Sequence, residues 1–246
     1  MAEDLINLGA IQQEKGHYTE AEKFHRQALE ITAAFYGKDH PKTASNLTLI
    51  GRALLFQKRH DEAVDMLHRS LEVRERVYGP LHPQVASTLN ELGNIALMRE
   101  QFGEAEARYQ RVVGIYRTAY SGKHYLIGLG LANLASAYMN RKDYTRAEPL
   151  FREALAMYAQ TLPAGHLNVA ISRIKVGRTL LRQKRYAEAE TEATSGYEIL
   201  SKQASPSVSW LQSARQDLAE VYDALRQPEK AQKFRAEREA AAKGKQ

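Results

Sequence analysis

Four histidines, His40, His82, His124 and His166, stand 42 residues apart, and evenly spaced imidazoles invite a reading as metal ligands. Geometry argues against it. Residues one repeat apart on stacked helices are separated by roughly a helix diameter, 8–10 Å, whereas zinc needs every ligand nitrogen at about 2.0–2.1 Å. The four are therefore read as loop residues that satisfy backbone groups at helix starts. The glycines of "GLGLAN", residues 128–133, look like half of a nucleotide loop. No strand precedes them and the six-residue glycine spacing is missing, so they are assigned to the inside of a helix. Gly128 falls in a row with Ala44, Ala86 and Ala170, where a small side chain is wanted, while Gly130 has no such excuse. No Ser-His-Asp set, HExxH or phosphate loop is present, and there are no cysteines. Catalysis, metal binding and a cofactor are not expected.

The remaining chemistry is that of recognition. Between Ala154 and Ala187 there is no Asp or Glu, while "RIKVGRTLLRQKR" supplies Arg173, Lys175, Arg178, Arg182, Lys184 and Arg185. A merely soluble helix mixes signs. Arg178 and Arg182 lie one helical turn apart with Lys175 just below, so a positive patch with exposed side chains is expected. A second set is polar and neutral: Thr48, Asn90, Asn94, Asn133, Ser136 and Asn140, with Arg52 among them. Carboxamides can hold an extended peptide backbone through a donor and an acceptor, and cations seize carboxylates.

These residues must be positioned by something, and the chain is periodic enough to say what. A small-residue row, Gly9, Gly51, Gly93, Ala135, Gly177 and Ala219, keeps the 42-residue spacing of the histidines. An alanine row, Ala21, Ala63, Ala105, Ala147, Ala189 and Ala231, keeps it without exception. Repeats of this length mark a solenoid whose units stack on their neighbours. In "LHPQVASTLNELGNIALMREQ" the apolar residues Val85, Leu89, Leu92 and Ala96 recur at helical spacing behind Pro83, which suits a first turn. This is a helix A. "FGEAEARYQRVVGIYRTAY" repeats the pattern as a helix B, and Gly37 and Gly79 stand where a helix B must end. The small residues let the two backbones approach closely.

The composition agrees with a soluble chain. Of 246 residues 43% are hydrophobic and 26% charged, and 35 Lys+Arg against 29 Asp+Glu leave a net charge of +6. That favours acidic partners but falls short of a dedicated nucleic-acid binder. No stretch approaches about 18 uninterrupted apolar residues, so neither a signal peptide nor a membrane span is expected. A cytoplasmic location follows as the expectation.

Leu-Gly followed by an aromatic and Glu-Ala, as in "LGAIQQEKGHYTEAEKFHRQAL" and "LASAYMNRKDYTRAEPLFREAL", resembles the tetratricopeptide repeat. The long period and the "G-x-x-HP" link resemble the form found in kinesin light chain and many bacterial proteins. The resemblance implies an all-α, right-handed α-solenoid of about six helix-turn-helix repeats filling residues 1–246 as a single array. Its repeats are set at 2–40, 41–82, 83–124, 125–166, 167–207 and 208–242, the last a degenerate cap. Twelve helices are expected, at 2–15, 18–36, 41–58, 60–78, 83–99, 102–120, 125–141, 144–161, 167–183, 186–203, 207–225 and 228–241.

The resemblance further implies a concave face lined by the A helices, and hence a non-catalytic scaffold. Its groove would be built from Thr48, Arg52, Asn90, Asn94, Asn133, Ser136, Asn140, Lys175, Arg178 and Arg182. The expected ligand is an extended or short helical, acidic peptide. The Lys-then-Asn pairing of chaperone-tail binders is absent, because Thr48 with Arg52 and Ile174 with Arg178 stand in its place. Two alternatives stay open. One is a regulatory segment excised from a larger signalling protein, such as a bacterial kinase, and acting on its parent chain. The other, weaker for want of interleaved aromatics, is nucleic-acid binding through residues 173–185. Leu5, Ile6, Leu8 and Ile11 spread wider around the first helix than one stacked face requires. Self-association or contact with a parent domain through that helix is therefore expected.

Overall fold

Each 42-residue repeat folds as two helices, and the local chemistry of the first repeats shows why. In the computed structural model, which describes residues 1–203 and 208–243, the order is α1 (Ala2–Glu14), α2 (Tyr18–Tyr36), α3 (Pro41–Phe56), α4 (His60–Tyr78), α5 (Pro83–Met98) and α6 (Phe102–Ala119). It continues with α7 (Tyr125–Asn140), α8 (Tyr144–Thr161), α9 (Leu167–Arg182), α10 (Tyr186–Ser201), α11 (Val208–Ala224) and α12 (Pro228–Lys243). The expected ends agree to within two residues, apart from residue 207, which lies outside the described residues. No strand occurs among the described residues.

The four spaced histidines start the A helices. Each lends its Nδ1 as an acceptor to the backbone N–H two residues on: His40 to Lys42 at 3.1 Å, His82 to Gln84 at 3.2 Å, His124 to Leu126 at 3.2 Å and His166 to Asn168 at 3.1 Å. One of the otherwise unpaired first-turn donors is thereby satisfied, the work usually given to Ser, Thr, Asp or Asn. Tyr36 and Tyr78, the last residues of α2 and α4, stack on His40 and His82 with ring centroids 4.5 and 4.3 Å apart. Gly37 and Gly79 close those helices at φ of 88° and 81°.

The turn inside each pair holds a feature that the sequence conceals. A residue with positive φ recurs every 42 positions: Gly16, then Lys58, Glu100, Lys142, Lys184 and Arg226. Only the first is glycine. The backbone around it bonds twice across the turn, as in Lys58 N–H to Leu55 O at 2.9 Å and Arg59 N–H to Leu54 O at 3.0 Å, and these bonds hold a left-handed residue that side chains disfavour.

The small-residue row has a steric purpose. A Cβ on Gly93 would stand 2.6 Å from the ring of Tyr109, a wholly buried side chain. Gly128 is fixed in the same way, since a Cβ there would stand 2.9 Å from Tyr158. All six alanines of the invariant row are fully buried. The chain divides into two compact units, residues 1–121 and 122–246. In the first, Ile50, Leu54, Leu67, Leu92 and Ile95 form a core between α3, α4 and α5. In the second, Leu218, Tyr222 and Phe234 pack with Ala193 and Ala231, and Ile174 and Leu200 pack with Leu211. On α1 only Gly9 is buried, while Leu8 and Ile11 are exposed.

Candidate functional site

The expected recognition face belongs to the A helices, and the two units furnish it differently. In the first unit, Thr48 is a correction. It is buried, with its hydroxyl 2.8 Å from Ser70 Oγ and bonded to the carbonyl of Ala44, so it joins α3 to α4 and offers nothing to a ligand. Arg52 is half in solvent, its Nε 3.7 Å from Glu91 Oε1. Burial pushes the Glu91 carboxyl up, against the opposing pull of Arg52 and a hydrogen bond with Asn94. Asn94 is half-buried and its Oδ1 accepts from Tyr109 Oη at 2.7 Å. Part of its carboxamide is therefore already committed. Asn90 is half-buried on the same helix.

In the second unit, Ser136 is buried on α7. It donates to Ala132 O at 2.7 Å and accepts from Lys175 Nζ at 2.9 Å. Asn140, exposed one turn on, donates from Nδ2 to Ser136 O at 2.8 Å, and Asn133 is half-buried. Lys175 reaches back from α9 into this group. Its ammonium lies 5.5 Å from the Phe151 ring centre and 5.6 Å from that of Trp210, within the range of cation–π attraction. Burial, and then the neighbouring Arg178, pull the Lys175 amine down to about 8. Among the described residues no carboxylate pairs with it.

The expected patch of exposed arginines is also corrected. Arg178 is only 24% exposed, and its Nε and Nη2 grip both oxygens of Asp217 at 2.8–3.1 Å, with Asp217 itself 4% exposed. Burial pushes the Asp217 carboxyl up even with Arg178 beside it. Arg182 is exposed as expected, but it donates to Glu220 Oε2 at 2.8 Å. Arg173 turns to Glu192 at 2.7 Å, and Arg185 to Glu148 at 2.6 Å and Glu188 at 2.7 Å. The acid-free stretch is thus neutralised largely from outside itself.

Sequence reasoning missed Asp217 and Glu220 because it looked along one helix at a time. A signal existed. On adjacent A helices, residues 39 apart meet, one repeat less one turn, as in Arg52 with Glu91, Ser136 with Lys175, and Arg178 with Asp217. Counting 39 forward from Arg52 and Arg178 reaches their acids, while Glu220 lies 38 beyond Arg182. Among the described residues no cluster of His, Asp or Glu is placed to hold a metal ion, and no helix is long and apolar enough to cross a membrane.

Comparison with known proteins agrees with this geometry. The chain is similar to kinesin light chain TPR-like repeats from Podosopora anserina, at 22% identity and a TM-score of 0.69, covering 81% of this chain and 94% of that one. BtubC from P. vanneervenii is similar at 20% identity and a TM-score of 0.72, with 83% of each chain covered. Aspartyl phosphate phosphatase F from Bacillus subtilis is similar at 14% identity and a TM-score of 0.70, covering 97% of this chain and 69% of that one. At such identities the likeness speaks for the fold. No curated protein matches the chain. The tetratricopeptide repeat family model matches residues 2–67, 49–118 and 127–202; with its paired helices, buried alanine row and 42-residue period, the chain belongs to the tetratricopeptide repeat family.

Proposed function

We propose that the chain is a non-catalytic protein-interaction module, and that the A-helix face of its second unit holds a carboxylate of an acidic partner segment on Lys175. One observation carries this reading. Of the cations that the sequence places along α9, Arg173, Arg178 and Arg182 are each matched by an acid of this chain, whereas Lys175 rests on a hydroxyl and two aromatic rings. A half-buried ammonium without a counter-ion gains more from an incoming carboxylate than an arginine that must first give one up. Exposed Asn140 and half-buried Asn133 on α7 stand beside it to meet a peptide backbone. The acidic ligand proposed from the sequence is kept, while the anchor moves from the arginine pair to the lysine.

Trp210 is the sole tryptophan of the chain and lies against Lys175, so its fluorescence reports the site directly. Titration with an acidic peptide carrying a free C-terminus is expected to change that emission saturably, and added salt should weaken the binding. Lys175→Met should reduce affinity at least tenfold. Raising the pH past about 8 removes the lysine charge and should weaken binding in the parent, while Lys175→Arg should bind without that pH dependence. Equal affinity of the parent and Lys175→Met for the acidic peptide would end this reading.

A further inference from the structure

Arg74 on α4 is a buried guanidinium held without a carboxylate. It donates to Gln84 O at 3.0 Å and to Thr88 Oγ1 at 2.7 Å, and it reaches Ser45 Oγ at 3.4 Å. One repeat earlier the corresponding residue is Thr32, and the positions of Ser45, Gln84 and Thr88 are taken by Glu3, Lys42 and Asn46. A threonine cannot fill the space of an arginine. A cavity of about 350 Å³ lies there, bounded by Glu3, Ile6, Thr32, Tyr36, Lys42 and Asn46. In the second unit the corresponding position holds Tyr158, whose ring presses against Gly128.

The cavity presents an acceptor. Asn46 is fully buried, and its Nδ2 donates to Thr32 Oγ1 at 2.9 Å, while its Oδ1 meets no donor. Turned around, the carboxamide would need the Thr32 hydroxyl proton, which in the present arrangement goes to Ala28 O at 2.9 Å or Leu29 O at 3.1 Å, so that Thr32 accepts from its neighbour. A buried carbonyl oxygen facing a cavity favours a ligand that brings N–H donors. The Glu3 carboxylate, where the next repeat has only the Ser45 hydroxyl, adds negative charge at the mouth. Lys42 Nζ leans on Tyr36 Oη at 3.2 Å and stands 3.8 Å from Glu3. It is more than half exposed, and its ammonium also lies 5.0 Å from the Tyr36 ring centre, so an incoming guanidinium would have to take its place against Glu3 and Tyr36.

We propose that this cavity is a socket for the arginine side chain of a partner protein, whose guanidinium takes the place that Arg74 occupies in the following repeat. The planar fork of five donors suits an acceptor set spread over Asn46 Oδ1, the Glu3 carboxylate and the Tyr36 ring, and a guanidinium sheds water more readily than an ammonium. A cavity of about 350 Å³ has room for one arginine side chain. The site is in the first unit and is independent of Lys175, so either assignment can fail alone.

The probe is Nα-acetyl-arginine methylamide, followed by NMR at the Asn46 side-chain amide. A saturable shift is expected. The citrulline analogue, of the same shape without charge, and the lysine analogue should each bind at least fivefold more weakly. Thr32→Arg supplies the guanidinium from within, and should abolish the shift while raising the melting temperature. Glu3→Gln alters an exposed side chain, so it should weaken the probe several-fold with the melting temperature unchanged, and it decides the matter if Thr32→Arg does not fold. No shift at Asn46 in the parent, equal binding of the citrulline or lysine analogue, undiminished binding by Glu3→Gln, or binding retained in a folded Thr32→Arg protein would each overturn the proposal.

Discussion

The two units share one device and differ in another. In the first, the Glu22 carboxylate receives Gln57 Nε2 at 2.8 Å, Arg59 Nη1 at 2.7 Å and Arg26 at 2.7 Å, and Gln57 also bonds Tyr18 O at 3.3 Å. In the second, Glu148 receives Gln183 at 2.9 Å, Arg185 at 2.6 Å and Arg152 at 3.0 Å, and Gln183 bonds Tyr144 O at 3.4 Å. Atom for atom these are the same network. The A-helix faces are not the same. Arg52 and Glu91 stand 3.7 Å apart at a half-open surface, whereas Arg178 and Asp217 are locked together and half-hidden. The B-helix network is a fixed joint between successive pairs, and the A-helix face is where a repeat is free to vary.

The sharpest way to break this contrast is at Arg178. Arg178→Glu leaves Asp217 buried against a like charge, and losing one partner of a buried pair costs about 3–5 kcal/mol. Thermal or denaturant unfolding should show that loss, and Arg52→Glu should show little of it. A double reversal at Arg178 and Arg182 is therefore a stability variant as well as a binding variant, and Lys175 is the cleaner probe of recognition.

A smaller effect is expected from the shared joint. Removing a charged acceptor that serves several donors costs about 1–3 kcal/mol, so Glu22→Ala and Glu148→Ala should each lower stability by that order and by similar amounts. For both carboxyls burial pushes upward, but the hydrogen bonds from Gln57 and Arg26, or from Gln183 and Arg152, prevail and hold the group below its ordinary 4.5. The stability they contribute is present above that value and is lost as pH falls through the depressed one. A large difference between the two variants in urea unfolding would show that the joints are not equivalent.

The smallest effect sharpens a difference inside the small-residue row. Gly51 faces Leu67, but Gly9 faces His25, whose ring is fully buried with neither nitrogen bonded. Burial, and then Arg52, hold its imidazole below the ordinary 6.5. The folded state therefore favours the neutral ring, and stability is full above about pH 6.5 and falls as the unfolded chain takes up the proton below it. His25→Leu copies the neighbouring repeat. It should stabilise modestly at pH 7, by about 1 kcal/mol from the relieved polar burial, and should flatten the decline that begins near pH 6.5 in a melting series.

How much was legible in the sequence follows from what repeats and what does not. Helix bounds, the alanine row, the terminating glycines and the capping histidines each depend on a few neighbouring residues, and a 42-residue period prints them several times over. The recognition face depends on partners 39 residues away, and there the reading failed in specific ways. Thr48 is expected in the groove because it stands on an A helix three residues before Gly51, but Ser70 on the opposite helix draws its hydroxyl inward. Arg178 was read as exposed because its own helix carries no acid, and Asp217 lies on the next A helix. Lys58 and its four successors in the left-handed turn were invisible because side chains there give no compositional sign.

The repeated joint has a bearing on how such a molecule can be rebuilt. Glu148 follows Glu22 by 126 residues, as Gln183 follows Gln57 and Arg185 follows Arg59. At the two intermediate steps the three places read Val64, Arg99 and Gln101, and then Glu106, Arg141 and Asp143, so a single repeat moved one place along would bring mismatched halves together. Cut and pasted as spare parts, one repeat is the wrong size. The shortest length of this chain that carries its own fitting to the same joint further on is three repeats.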